Sequence, residues 1–250
     1  MAVLSGCTVA PPTGSTSPAA LPTAPVSPSD PSSPSDPPSS PARSATASAT
    51  PSASPSRPAA TRPRDKRTAP QRSRAFVVDG IPVVSKKHPI DARYRRSSVT
   101  SPYGLTRETQ RGLARMISAA RAKGVRILVH SGYRGYAQQA QILASKIREY
   151  GSESLARRYN AAPGRSEHQT GLAVDLWDGA TWGLGVRNTK TGKWLWANAW
   201  RYGFILRYPS GKEKITGYAF EPWHYRYIGA RAKDFGANSN RTLEEYLRLA

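Results

Sequence analysis

The sequence contains a single cysteine, Cys7, and no aromatic residue before Phe76. One cysteine excludes an internal disulfide framework and any zinc site made of cysteines alone. All 22 aromatic residues lie in residues 76–250, whereas 16 of the 22 prolines lie before residue 75. No stretch approaches the roughly 20 consecutive apolar residues of a transmembrane helix. The 250 residues therefore divide into a proline-rich part that cannot form a core and one candidate domain.

Residues 8–75 are predicted to be a long disordered linker. Residues 8–56 consist almost entirely of Pro, Ser, Thr and Ala, which offer too little apolar surface to offset chain entropy. The end of the linker is basic, with seven Arg and Lys residues from Arg57 to Arg74 against Asp65 alone. This charge favours an anionic polymer or a membrane surface as partner, although a solvated basic linker would have the same composition. Nucleic acid is not expected, because no aromatic residues are interleaved with the basic ones.

Residues 1–7 end in Leu4-Ser5-Gly6-Cys7, which is similar to the lipobox of bacterial lipoproteins. A secretory signal carries a charged region and an apolar segment of about 7–15 residues. Only six residues precede Cys7, and none has a charged side chain. We therefore expect a truncated signal, a lipidated Cys7 and an extracytoplasmic, membrane-anchored protein; a chance tetrapeptide is the alternative.

Residues 76–250 are predicted to form one domain of the α+β class, large enough to bury a core without disulfides. The predicted helices cover residues 106–122, 136–150 and 193–202, and the predicted strands cover residues 125–130, 171–177 and 204–208. Helices and strands are mixed without a regular βαβ alternation, which favours α+β. Thr242 and Glu245 have the spacing of a capping box and predict the start of a last helix.

The candidate domain is itself strongly basic. Of the 37 Lys and Arg residues, eight lie before residue 76, as do three of the 16 Asp and Glu residues, so residues 76–250 carry a net charge of +16. A charge of this size predicts an acidic partner or surface.

Two histidines lie in unusual surroundings. His168 lies seven residues before Asp175, which a predicted strand places among apolar neighbours, and His224 lies three residues after Glu221. Two imidazoles and a carboxylate suit a catalytic zinc ion, and a second carboxylate could act as general base. Glu221 and His224 would point to opposite sides of a regular strand, so a bulge or kink is required. By spacing alone, Asp175 could equally pair with an arginine, and each histidine could be an ordinary polar residue.

Three segments together indicate a family. They are Ser131-Gly132-Tyr133-Arg134, Ser166-Glu167-His168 through Asp175, and Glu221-Pro222-Trp223-His224. In this order they resemble the zinc D-alanyl-D-alanine carboxypeptidases of the VanY-like group, and the run 194–229 is similar as well. The resemblance covers roughly residues 80–230. It implies a small central antiparallel sheet flanked by helices, with a zinc cleft on the sheet.

The resemblance also implies roles for five side chains. His168, Asp175 and His224 match the family's ligands to Zn²⁺. Glu221 matches the base that takes a proton from the attacking water and passes it to the leaving amine. Arg134 matches the arginine that polarises the scissile carbonyl or holds the oxyanion.

Further matches concern the substrate. Ser131, Gln139 and Ser166 fall where the family contacts the terminal D-residue and its amide. At Gly135 the sequence differs from the family pattern, which usually has serine after the arginine. This difference could alter the turn or a substrate contact, but Gly135 is not one of the expected metal ligands.

The activity implied is removal of the C-terminal D-alanine from peptidoglycan stem peptides by a monomer in or near the cell wall. The alternatives left open are an L,D-carboxypeptidase, an endopeptidase on the same polymer, and a non-catalytic wall-binding lipoprotein. The basic charge would then serve contact with anionic cell-wall polymers or lipid head groups.

Overall fold

The structure is a computed structural model that describes residues 62–95 and 99–250. The predicted signal with Cys7, and the predicted linker up to residue 61, lie outside the described residues. The strands are β1 (Phe76–Val78), β2 (Ile81–Val83), β3 (Val99–Thr100), β4 (Leu105–Thr106), β5 (Leu128–Ser131), β6 (Ala173–Trp177), β7 (Phe204–Leu206) and β8 (His224–Tyr227). The helices are α1 (Arg107–Ala122), α2 (Tyr136–Tyr150), α3 (Glu153–Tyr159), α4 (Lys190–Asn198), α5 (Glu213–Thr216) and α6 (Leu243–Tyr246). Short 3-10 turns cover Pro70–Ser73, Glu167–Thr170, Gly183–Asn188, Ala199–Tyr202 and Gly229–Asp234.

The central sheet has four antiparallel strands in the order β5-β6-β8-β7. Its two middle strands, β6 and β8, place Asp175 directly opposite His224. On the other side of β6, Asp175 is opposite Ser131 of β5, after a register shift that follows Val129. The predicted α+β class with a small antiparallel sheet is confirmed, and the sheet register already brings three predicted site residues together.

Helix α1 covers one face of this sheet. Leu113 and Met116 are fully buried in the same core cluster as Val174 and Leu176 of β6. Because successive side chains of a strand alternate between faces, Asp175 lies on the face opposite α1. The apolar packing of α1 therefore leaves the other face of the sheet for the polar site.

A second core cluster joins the beginning and the end of the domain. The β1–β2 hairpin, with positive φ angles at Asp79 and Gly80, packs its apolar side chains against Ile205 and against Leu243 and Leu247 of the C-terminal segment. This cluster fixes the C-terminal segment against β7, next to the sheet that carries the site.

Most predicted boundaries follow local capping signals. Thr106 caps α1 by accepting a hydrogen bond from the amide of Thr109, and Ser152 caps α3. Thr242 and Glu245 form the predicted capping box at α6. The strand predicted at residues 171–177 begins only at Ala173, because Gly171 is left-handed at the end of a 3-10 turn.

The described part of the predicted linker already contacts the domain. Arg67 donates hydrogen bonds to the carboxylate of Asp65 and to the carbonyl of Pro89, and the amide of Asp91 donates to the carbonyl of Arg72. The ordered contacts therefore begin before the predicted boundary at residue 76, since the guanidinium of Arg67 finds acceptors that composition does not reveal. No helix within residues 62–95 and 99–250 is both long and apolar enough to cross a bilayer.

Candidate metal centre

Three donor side chains meet on the sheet face opposite α1. His168 comes from the 3-10 turn Glu167–Thr170, Asp175 from β6 and His224 from the first position of β8. One ligand atom from each lies within 4.8 Å of the others, and all three side chains are buried. The structure thus brings the predicted ligand set together, while its role as a ligand set stays a prediction.

The candidate ligand atoms of this cluster lie close to one another. His168 Nε2 lies 3.3 Å and His224 Nδ1 lies 3.1 Å from Asp175 Oδ1. His168 Nδ1 donates to the carbonyl of Gly132 at 2.5 Å, so a neutral ring presents a lone pair at Nε2. Within the described residues, His168 Nε2 and Asp175 Oδ1 are buried without a hydrogen bond. Buried acceptors without donors are costly, and a cation would satisfy them.

The local charges hold the two imidazoles in different states when no cation is present. Burial, with the charge of Arg134, lowers the pKa of His168 to about 4. Although burial opposes a charged ring, the carboxylates of Asp175 and Glu167 raise the pKa of His224 to about 9. A cation would therefore replace a proton on His224, as expected for a metal site.

Glu221 lies beside the cluster because of a tight turn. The amide of His224 donates to the carbonyl of Glu221 at 3.1 Å, with Pro222 and Trp223 between them. This turn supplies the kink that the sequence required, and it places Glu221 Oε2 3.6 Å from His224 Nδ1. Burial, with the nearby charge of Asp175, raises the pKa of Glu221 to about 8, while His224 and Arg134 oppose the shift.

Arg134 is held at the edge of the cluster by three acceptors. Its Nη1 donates to Asp175 Oδ2 at 3.1 Å and to Ser131 Oγ at 2.9 Å, and its Nε donates to Gln139 Oε1 at 3.2 Å. Gln139 is buried and donates in turn to the carbonyl of Ala161. Ser131 and Gln139 therefore orient Arg134 in this structure, and their predicted contact with substrate stays a prediction.

Ser166, the third predicted substrate contact, is buried immediately before the 3-10 turn that carries His168. Its predicted role is likewise untested.

Sequence analysis missed a buried ionic network beneath the cluster. Glu167 Oε1 accepts hydrogen bonds from Arg207 Nε at 2.8 Å and from Arg226 Nη1 at 2.7 Å. Arg207 also binds both carboxylate oxygens of Glu244, at 2.8 and 2.7 Å. Arg207 and Arg226 are fully buried. The signal in the sequence was an arginine within each of two apolar strand segments, which needs a buried partner.

An aromatic group lies beside the turn that carries Glu221. Trp182 stacks on His130 with ring centroids 3.8 Å apart and lies 5.4 Å from the ring of Trp223. Trp182 is 43% exposed. Trp223 directly precedes His224 in the chain, so this group adjoins the turn that leads into β8.

Comparisons with known proteins agree with this geometry. A family model described as VanY, D-alanyl-D-alanine carboxypeptidase, matches residues 103–230. A D-alanyl-D-alanine carboxypeptidase of Enterococcus faecalis is 37% identical over 184 residues, covering 66% of this chain and 64% of that protein. The chain thus matches a little under two thirds of the length of this relative.

Solved structures show the same likeness. The LD-carboxypeptidase LdcB is 34% identical with a TM-score of 0.59, covering 70% of this chain and 94% of that one. A second structure is that of the D,D-pentapeptidase VanY from a VanB-type resistance cassette, solved as a mutant in complex with Zn(II). It is 37% identical to this chain, with a TM-score of 0.58, and the match covers 66% of this chain and 97% of that one. With a family model that matches just over half of its 250 residues, the chain belongs to the VanY family of D-alanyl-D-alanine carboxypeptidases.

Proposed function

We propose that this chain is a zinc-dependent carboxypeptidase that removes the C-terminal D-alanine from peptidoglycan stem peptides. The observation that carries the proposal is the buried cluster of His168, Asp175 and His224, whose ligand atoms lie within 4.8 Å of one another. Two imidazoles and one carboxylate leave a fourth position open, as catalytic zinc sites do. The relatives described as D-alanyl-D-alanine carboxypeptidases support the substrate class.

The three side chains would hold the ion, and the neighbouring residues would handle protons and charge. Zinc bound there supplies Lewis-acid activation of water and of the scissile carbonyl. Glu221 takes a proton from the attacking water and delivers it to the leaving amine. Burial raises its pKa to about 8 in the absence of a cation, and the positive charge of a bound cation would lower that pKa towards the range that suits both roles.

Arg134 would bind the oxygen on which negative charge develops. Ser131, Gln139 and Asp175 fix its Nη1 and Nε, which leaves Nη2 for a substrate oxygen. A donor fixed before the reaction costs little reorganisation when the charge appears.

The central experiment is incubation of the zinc-loaded protein with tetrapeptide and pentapeptide muropeptides, with released residues identified by mass spectrometry. We expect the pentapeptide to lose one D-alanine and the reaction to stop at the tetrapeptide. Release from the tetrapeptide instead would identify the L,D-carboxypeptidase alternative, cleavage within the stem would identify the endopeptidase, and no release from either would leave a wall-binding protein.

We further propose that the protein works outside the cytoplasm, attached through a lipidated Cys7 and held near anionic cell-wall polymers. Mass spectrometry of the N-terminal peptide from the native organism tests the anchor. A lipid mass on Cys7 is the expected result, and an unmodified thiol would contradict it.

The surface of α1 supports an anionic polymer as partner. Arg107, Arg111 and Arg115 are exposed and follow one helix face at four-residue spacing, without a salt bridge among the described residues. Helix α1 lies on the sheet face opposite Asp175, so binding there leaves the candidate site accessible. Opposite charges on a polymer would neutralise this row of guanidinium groups.

Sedimentation with purified cell walls tests this partner. We expect binding to weaken at high salt, after chemical removal of anionic polymers, and when all three of these arginines are changed to glutamine. The matched control removes three exposed charges elsewhere, namely Arg148→Gln, Arg201→Gln and Lys233→Gln. Equal loss in both triple variants would show that net charge, rather than α1, governs binding.

A further inference from the structure

Glu167 is the central carboxylate of the buried ionic network, and only one of its oxygens is used by that network. Oε1 accepts from both Arg207 and Arg226. Among the residues that the structure describes, Oε2 has no hydrogen-bond partner; it is buried 3.6 Å from His224 Nε2, which likewise has none. The two unpartnered atoms face each other on the side of the imidazole away from Asp175.

We propose that Glu167 is a positioning residue that fixes the proton of His224 on Nε2, so that Nδ1 presents its lone pair to the metal. The inference rests on the proposed function, since it concerns the same metal centre. It adds a residue whose side chain touches neither metal nor substrate.

The argument follows from hydrogen-bond chemistry. An ionised carboxylate can only accept, so the ring nitrogen facing Glu167 Oε2 must carry a proton. Arg207 and Arg226 both donate to Oε1 of Glu167, and this pairing with two buried guanidinium groups favours the carboxylate form. A proton on Nε2 leaves Nδ1, 3.1 Å from Asp175 Oδ1, as the ligand atom of His224. A small closing movement would give the charge-assisted bond of roughly 2.7–2.9 Å that orients metal-bound histidines elsewhere.

His224 would then be held from both sides. Its Nδ1 faces Asp175 and the cation, and its Nε2 faces a carboxylate fixed by two buried guanidinium groups. His168 is fixed in the complementary way, with the proton on Nδ1 donated to Gly132 and Nε2 free. The two imidazoles therefore need opposite tautomers, and the fold supplies a separate acceptor for each.

The variant Glu167→Gln tests this role because an amide has one acceptor and one donor. Its oxygen must face the two arginines, since the opposite orientation would place amide hydrogens against two cations. The amide nitrogen then faces His224 Nε2, and with a metal on Nδ1 two donors would oppose each other. We expect zinc affinity to fall about 10- to 100-fold, the range seen when outer partners of metal ligands are lost.

The matched control is Glu244→Gln. Glu244 pairs with the same Arg207, so its neutralisation also disturbs the buried network, but the ion pairs of His224 are with Glu167, Asp175 and Glu221 and not with Glu244. Zinc dissociation constants from chelator competition and melting temperatures of the metal-free proteins should be measured for both variants. We expect both to melt below the native protein and only Glu167→Gln to lose zinc affinity. Native affinity in Glu167→Gln, or equal loss in both variants, would reduce Glu167 to a structural role and overturn the proposal.

A measurement on the native protein tests the proposed tautomer of His224 even if Glu167→Gln does not fold. With ¹⁵N-histidine and ¹¹³Cd in place of zinc, NMR should show cadmium coupled to Nδ1 of His224 and a proton on its Nε2. Coupling to Nε2 of His224 would overturn the proposal. Native protein that binds neither metal would instead refute the proposed function itself, so the two failures are distinguishable.

Discussion

At the scale of single residues, the site depends on where a proton can be held. Glu221 is buried 3.6 Å from His224 Nδ1, and its burial favours the protonated carboxyl in the absence of a cation. A bound cation shifts that balance towards the carboxylate, so Glu221 becomes a competent base only when the centre is loaded. Metal binding and base strength are therefore coupled through one short turn.

The variant Glu221→Gln separates catalysis from metal binding. We expect turnover of the pentapeptide to fall roughly 100- to 10,000-fold, because general base and general acid transfer are both lost. Zinc content should stay native, since Glu221 is not in the ligand cluster. The comparison variant His224→Ala should lose both zinc and turnover, and native turnover in Glu221→Gln would exclude the assigned base.

Glu167 also predicts the acid behaviour of the metal-free protein. Although burial opposes its charge, Arg207 and Arg226 lower the pKa of Glu167 below that of the unfolded chain. Its contribution to stability is therefore complete above the unfolded pKa, about 4.3, and is lost as the pH falls below it. Between about pH 5 and pH 2 the melting temperature of the metal-free native protein should fall more steeply than that of metal-free Glu167→Gln, as measured by circular dichroism. Parallel curves would contradict this.

At the scale of elements, the 3-10 turn Glu167–Thr170 and the start of β6 together position two predicted ligands. Gly171 ends the turn with a φ of 70°, after which the chain enters β6 and reaches Asp175. The same turn carries His168, so its backbone sets the distance between two predicted ligands. A residue with a Cβ is disfavoured in this conformation.

The variant Gly171→Ala should therefore weaken both stability and metal binding. The left-handed conformation costs an alanine roughly 1–2 kcal/mol, which urea unfolding of the metal-free protein would show. Gly151→Ala is a suitable control, because Gly151 has a φ of 64° at the end of α2, away from the candidate centre. It should lose similar stability but retain zinc affinity; equal zinc affinity in the two variants would argue against a link between this turn and the metal.

The elements also show what the sequence could and could not predict. The bounds of α2 and the capping box at Thr242 follow from signals within a few residues, and they agree with the structure. The sequence required a kink that brings Glu221 towards His224, but it did not show which backbone turn forms it. That turn depends on the pairing of β8 with a distant strand. The role of Glu167 was missed because its arginine partners lie 40 and 59 residues further along the chain.

At the scale of the whole molecule, the two faces of the central sheet carry different kinds of residues. One face packs on α1, whose outer surface carries a row of exposed arginines, and the other carries the buried cluster at Asp175. The exposed basic residues of the segment 62–74 add charge close to the start of the domain. If these arginines bind an anionic polymer as proposed, they would do so on the side of the domain away from the cluster.

The most direct test of the account is a crystal structure of the zinc-loaded protein, with diffraction data collected on both sides of the zinc absorption edge. We predict one anomalous peak, bound by His168 Nε2, Asp175 Oδ1 and His224 Nδ1, with Glu221 beside the open fourth position. A zinc peak at any other set of residues, or no peak at this cluster in protein that hydrolyses the pentapeptide, would contradict the account.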